Sequence, residues 1–153
     1  MRKVYIGSDH GGVLLKDQFV SMLKDNFTVE DYGTHGDVAV DYPCIAEKVA
    51  RAVAANEGSF GVLVCGSGIG MSIAANKVDG IRCALIHDAY TARMAREHND
   101  ANILAIGERV TGSEVAKEAL GIFLNTQFQA GRHAKRVELI MKIAHHERSD
   151  EKM

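Results

Sequence analysis

FGVLVCGSGIGMSIAANK (60–77) reads as a strand, a glycine-rich turn and a helix in immediate succession. GVLVC (61–65) is apolar throughout, as a strand covered on both faces is. Gly66, Gly68 and Gly70 follow within five residues, and a helical pattern resumes over 69–77. A βα unit built this way places its loop at the carboxyl edge of a parallel sheet. It also places a thiol, Cys65, where such loops commonly hold a phosphate.

The same alternation extends in both directions. KVYIG (3–7), FTVEDY (27–32), IRCALI (81–86) and NILAIG (102–107) read as further strands. Leu15, Phe19, Met22 and Leu23 lie at i, i+4, i+7 and i+8, one face of a helix. Similar patterns cover about 43–56, 88–97 and 112–124, and a last helix about 132–147. Pro43 marks the start of the second helix. Strand–helix alternation at this spacing predicts an α/β protein, a three-layer α/β/α Rossmann-like arrangement. The expected sheet has five parallel strands in the order 2-1-3-4-5, with an extra C-terminal helix. The chain of 153 residues reads as one domain over 1–153, without repeat or linker, and HHERSDEKM (145–153) as a fraying tail.

Composition bounds the function. Hydrophobic residues make up 46% and charged residues 25%, as in ordinary soluble proteins. A net charge of −2 argues against broad nucleic-acid or membrane attraction. No apolar run approaches the roughly 18 residues of a spanning helix. MRKVYIGSDH turns polar too soon for a secretory leader. Three cysteines, an odd number without a CxxC pair, suit a cytoplasmic, reducing setting. No HxxxH or clustered Cys/His spacing points to a metal.

Three loops belong at the carboxyl edge: GSDHGG (7–12), CGSGIG (65–70) and GERVTG (107–112). A dinucleotide fingerprint needs GxGxxG, whereas Gly66 to Gly70 is GxGxG on the third strand. A Walker loop needs Lys after its last glycine, and Val13 follows Gly12. Neither nucleotide motif fits. A thiol at a helix N-terminus can ionise more readily than a free one and act as base or nucleophile. Cys83, in mid-strand, and Cys44, beside Pro43, read as packing residues.

Taken together, GSDHGG, DYP (41–43), CGSGIGMSIAANK (65–77), HNDANILAIGERV (98–110) and GRHAKRV (131–137) resemble the type B ribose-5-phosphate isomerases. That family includes galactose-6-phosphate and allose-6-phosphate isomerases, and the likeness runs nearly end to end. The resemblance implies an aldose–ketose isomerase of carbohydrate metabolism in the pentose phosphate pathway, acting on a sugar phosphate. It implies no metal or cofactor, and a homodimer that in some members pairs into a tetramer. Some members carry a glutamate after the glycine loop; Met71 stands there, so the resemblance makes Cys65 the base. The amides of Gly66, Gly68 and Gly70 then form an anion hole for the enediolate, and Ser67 relays a proton or binds sugar oxygens. The resemblance gives ring opening to His98. Asp9 is placed to accept from a sugar hydroxyl; an Asx turn or helix cap is the alternative. For His98 the alternative is a helix C-cap.

Helices of βαβ units run antiparallel to their strands, so His98 is expected at the amino edge. Cys65 is at the carboxyl edge, roughly 17 Å away. His98, with Asn99, is therefore expected in the partner subunit's site. Arg132 and Arg136 share a helix face, with His133 close by. Cations in a first turn oppose the helix dipole unless an anion joins them, which makes these residues phosphate candidates. Arg109 and His10 are further candidates, with the donating subunit left open. Tyr42 reads equally as a sugar neighbour or a packing residue. His87 is a candidate for the cleft rim, His35 sits in a Gly-flanked turn, and His145 and His146 belong to the polar tail. Three other readings stand beside the pentose phosphate isomerase. They are a hexose-6-phosphate isomerase, a non-catalytic sugar-phosphate-binding domain, and a redox sensor built on Cys65.

Overall fold

The structure is a computed structural model that describes residues 1–36 and 38–144. His145, His146, the tail and the end of the expected last helix lie outside the described residues. Five parallel strands form one sheet: β1 (Lys3–Ser8), β2 (Thr28–Asp31), β3 (Phe60–Cys65), β4 (Cys83–Leu85) and β5 (Ile103–Gly107). Between and after them run α1 (Val13–Leu23), α2 (Tyr42–Ala55), α3 (Ile69–Ala75), α4 (Ala89–Glu97), α5 (Ser113–Asn125) and α6 (Arg132–Ala144).

The fold class is the one expected, but the strand order is 2-1-3-5-4, not 2-1-3-4-5. The physical reason lies in the two strands that exchange places. Every residue of β5 is buried, as a central strand requires, and β4 is three partly exposed residues. A short strand tolerates the edge, and here the Asn76 side chain meets its outer backbone, accepting the Cys83 N–H (2.8 Å) and donating to the Cys83 carbonyl (2.9 Å).

Two apolar clusters cover the sheet. On one face Leu15, Phe19 and Leu23 of α1, Ala92 and Ala95 of α4, and Leu120 and Phe123 of α5 pack on Val62, Val64 and Ile106. On the other, Ile45, Val49 and Val53 of α2 and Met71 and Ala75 of α3 pack on Leu63, Cys65 and Ala105. The helices owe their positions to such stripes and to local caps. Pro43 lies in the first turn of α2, where its missing N–H costs nothing. At α4, Asp88 Oδ1 accepts the Thr91 N–H (2.7 Å) while Thr91 Oγ1 accepts the Asp88 N–H (3.1 Å). This capping box fixes where α4 starts, and so where it delivers His98 as its C-cap. Among its described side chains α6 buries Val137 and His133 and leaves Leu139, Ile140 and Ile143 exposed.

The chain runs from β1 outward to β2, and from β3 the opposite way. The crevice between the carboxyl ends of β1 and β3 is thus a topological switch point, the usual ligand position in such sheets.

Candidate active site

Three loops meet over that crevice. The Asp9 N–H donates to the Val64 carbonyl (3.2 Å), the Glu108 N–H to that of Cys65 (2.9 Å), and the Arg109 N–H to that of Gly66 (3.1 Å). The loop after β3 is therefore the keystone, held by β1 on one side and β5 on the other. Cys65 is the last residue of β3, 5% exposed, and a free thiol. The Gly68 amide donates to its Sγ at 3.0 Å.

Gly68 has φ +78°, left-handed backbone that favours glycine. A Cβ there would also lie 2.8 Å from the Ile106 carbonyl carbon and 2.7 Å from Leu85 Cδ1. A Cβ on Gly70 would meet the Tyr42 ring at 2.5 Å, so Tyr42 packs against the first turn of α3. These two glycines thus have packing reasons independent of any ligand. Within the loop the Gly68 amide serves the sulfur and the Ile69 amide donates to Ser67 Oγ (3.2 Å). Met71 is fully buried in the first turn of α3, and its thioether cannot accept a proton at neutral pH.

Asp9 is 8% exposed, and its Oδ1 accepts the Gly11 N–H at 2.9 Å, an Asx turn. The Val40 N–H reaches His10 Nδ1 at 3.4 Å, tying the segment before α2 to this loop. Arg109 spreads its guanidinium over two loops: a Cβ on Gly66 would lie 3.1 Å from Nη1, and one on Gly11 3.5 Å from Nη2. Asp9, His10, Cys65, Ser67 and Arg109 therefore form one pole of the molecule, at the carboxyl edge.

Glu108, beside Arg109 in GERVTG, is a residue to which no sequence motif assigns a role. Its Oε1 accepts the Leu15 N–H at 2.6 Å, in the first turn of α1. That helix end, an obvious anion site after GSDHGG, is thus occupied by the chain's own carboxylate. The signal was present, since Glu108 follows a buried strand directly, but its partner is 93 residues away.

The second pole lies at the amino edge. His98 ends α4, its N–H donating to the Met94 carbonyl, so the C-cap reading holds structurally. Its ring stacks on that of His133, with centroids 4.1 Å apart and 14° between planes. Arg132 and Arg136, both exposed, flank His133 on α6. His133 is pulled below the usual histidine value, first by burial, then by His98, Arg132 and Arg136, with Glu97 opposing. Asn99 is exposed in the turn after His98. The candidates thus separate into two clusters along β5, whose Ile103 pairs with Gly61 and whose Gly107 pairs with Cys65. Five such residues span roughly 13–17 Å. His35 lies 3.8 Å from Asp31, and His87 is exposed before α4. Burial pushes the Cys83 thiol up to about 12, in keeping with a packing residue. Among the described residues no group of His, Cys, Asp or Glu is arranged to hold a metal, and no helix is long and apolar enough to cross a membrane.

The sequence profile of the Ribose/Galactose Isomerase family matches residues 4–140. Ribose-5-phosphate isomerase B of Escherichia coli is 45% identical over 144 residues, 94% of this chain and 97% of that one. D-erythrulose-4-phosphate isomerase of Pectobacterium atrosepticum is 40% identical, covering 97% of this chain and 99% of that one. The structure of Clostridium thermocellum ribose-5-phosphate isomerase B superposes with a TM-score of 0.92 at 52% identity. That match covers 94% of this chain and 98% of that one.

Proposed function

This chain belongs to the ribose/galactose isomerase family, and from that footing we propose that it interconverts D-ribose 5-phosphate and D-ribulose 5-phosphate with Cys65 as the base. The observation that carries this reading is the Gly68 amide aimed at Cys65 Sγ, at the switch point of the sheet. The thiolate removes the C2 proton of the open-chain aldose. The C2 electrons form the C1=C2 bond of an enediolate, and the C1 carbonyl oxygen takes the charge. The thiol then returns the proton to C1, while the hydroxyl on C2 gives up its proton and becomes the ketone. Ser67 Oγ, one residue beyond the Gly66 amide, carries the oxygen-bound proton. The net change moves hydrogen between neighbouring carbons and consumes no co-reactant, which is why no cofactor is proposed.

Ribose 5-phosphate is mostly a furanose, so a ring must open first. His98 supplies the acid/base function for that step, with Asp9 orienting a hydroxyl. Separation of the two poles supports a site shared across a homodimer, in which one chain gives Cys65, Ser67, Asp9, His10 and Arg109. The partner gives its own copies of His98, Asn99, Arg132, His133 and Arg136. Arg132 and Arg136 grip the phosphate, and His133 faces it with them. A groove of about 670 Å³ runs along the β4 edge past Leu85, Tyr90, Asn99 and Ile140. Its exposed apolar rim supports a second copy seated there, and tetramers would pair such dimers. Three free cysteines suit a reducing cytoplasm.

The test mixes two inactive variants, Cys65→Ala and His98→Ala. Heterodimers contain one intact site, so an equal mixture should recover about one quarter of parental activity. No recovery after verified subunit exchange overturns the shared site. A Cys65→Ala homodimer that turns over at the parental rate overturns the base. Substrate choice is tested by kcat/KM for ribose 5-phosphate against allose and galactose 6-phosphates.

A further inference from the structure

The amino-edge pole is built around a charge that no step above uses. Arg96, on α4, is 8% exposed. Its guanidinium lies over Phe60 and Phe123, 5.0 and 5.8 Å from the ring centroids. Nη1 donates to Asp100 Oδ1 (2.9 Å) and to the Ala101 carbonyl (2.6 Å), and Nε to the Thr126 carbonyl (3.2 Å). From the other side Arg82 donates from Nε to the Asp100 carbonyl (2.9 Å) and from Nη2 to Asp100 Oδ2 (3.3 Å). Arg82 Nη1 also lies 3.3 Å from Met141 Sδ on α6.

Asp100 has φ +46°, a left-handed residue at the point where the chain leaves α4 and turns into β5. His98 and Asn99 lie in that same turn. Thr126 ends α5, and three residues later the Gln129 N–H donates to the Glu97 carbonyl (3.1 Å). The linker held there leads straight into Arg132 and His133. One guanidinium thus holds the two segments whose imidazoles stack. An uncharged side chain would fill the space between Phe60 and Phe123 without the cost of burying a cation. The fork adds direction: it fixes two backbone segments against each other through carbonyls that an alkyl chain cannot hold.

We propose that Arg96, acting through Asp100, is a positioning residue for the half-site that this chain donates to its partner, setting His98 against Arg132 and Arg136. The proposal rests on the shared-site reading above. Arg96→Lys keeps the charge and loses the fork. It should lower kcat/KM for ribose 5-phosphate on the order of a hundredfold, as misplacement by about an ångström does. Asp100→Asn should act the same way, on the order of tenfold, since asparagine tolerates the left-handed backbone; it serves if the lysine variant fails to fold.

Complementation separates positioning from general damage. Mixed with Cys65→Ala, the Arg96→Lys chain lends its intact Cys65 loop and receives a parental His98 half-site. Activity should rise to about one quarter of parental. Mixed with His98→Ala, both defects fall in the same half-site, and activity should stay at or below that of the Arg96→Lys homodimer. Parental activity in the Arg96→Lys homodimer, or rescue by His98→Ala but not Cys65→Ala, overturns the proposal. So does damage that no partner rescues while the Cys65→Ala and His98→Ala pair does recover. If that control pair itself fails, the shared site falls first and this proposal with it.

Discussion

Gly68→Ala tests the keystone loop most directly, because Gly58 provides a matched control. The two glycines have nearly the same φ, +78° and +79°. A Cβ on Gly58 meets nothing within 4 Å, whereas one on Gly68 meets Leu85 Cδ1 at 2.7 Å, the Ile106 carbonyl carbon at 2.8 Å and Gly107 N at 3.0 Å. Gly58→Ala therefore reports the backbone conformation alone, about 1 kcal/mol of destabilisation. Gly68→Ala adds overpacking against β5 main chain that cannot rotate away, a further 1–3 kcal/mol or about 3 in total. With unfolding entropy near 2.1 cal/mol/K per residue over 153 residues, 1 kcal/mol is about 3 °C in Tm. Thermal melts at equal protomer concentration should thus fall by about 3 °C for Gly58→Ala and about 9 °C for Gly68→Ala. Turnover should be parental for Gly58→Ala. For Gly68→Ala it should drop on the order of a hundredfold as the amide moves off Cys65 Sγ. Equal melting losses would refute the packing argument. A destabilised Gly68→Ala enzyme with parental kcat would refute the role given to the amide.

Arg136→Ala should raise KM for the sugar phosphate roughly ten- to hundredfold while changing kcat less, and Arg136→Lys should recover only part of it; steady-state kinetics decide, and an unchanged KM removes Arg136 from the phosphate site. His133 titrates below its unfolded value, so near pH 6 the unfolded chain binds more protons than the folded one. Its contribution is complete above about pH 6.5 and is lost as pH falls from there through the folded value. Melting curves from pH 7 to 5 should decline less steeply for His133→Gln than for the parent; identical slopes would count against it. Iodoacetamide at neutral pH should label exposed Cys44 and inactivate through Cys65, with protection by ribose 5-phosphate, while Cys83, pushed up to about 12, stays unmodified. Peptide mass spectrometry reads all three sites, and inactivation without Cys65 labelling would refute the assignment.

The sequence by itself determined the βα alternation, because apolar runs and helical stripes are local patterns. It also determined which loops reach the carboxyl edge, since strand direction follows from parallel connections. Cys65 was visible as an anomaly, a thiol at the end of an apolar run directly before glycines. His98's place at the opposite edge followed from helix direction alone. Local signals could not order the last two strands, because β4 and β5 differ in how they are covered, not in how they are spelled. They could not pair Glu108 with α1, bring Thr126 to Arg96, or stack His98 on His133. Each of those contacts joins residues distant in the chain, and depends on which edges and faces the folded sheet makes adjacent. Periodicity fixes which elements form and which way they run, whereas side-chain partners are chosen only when the layers close.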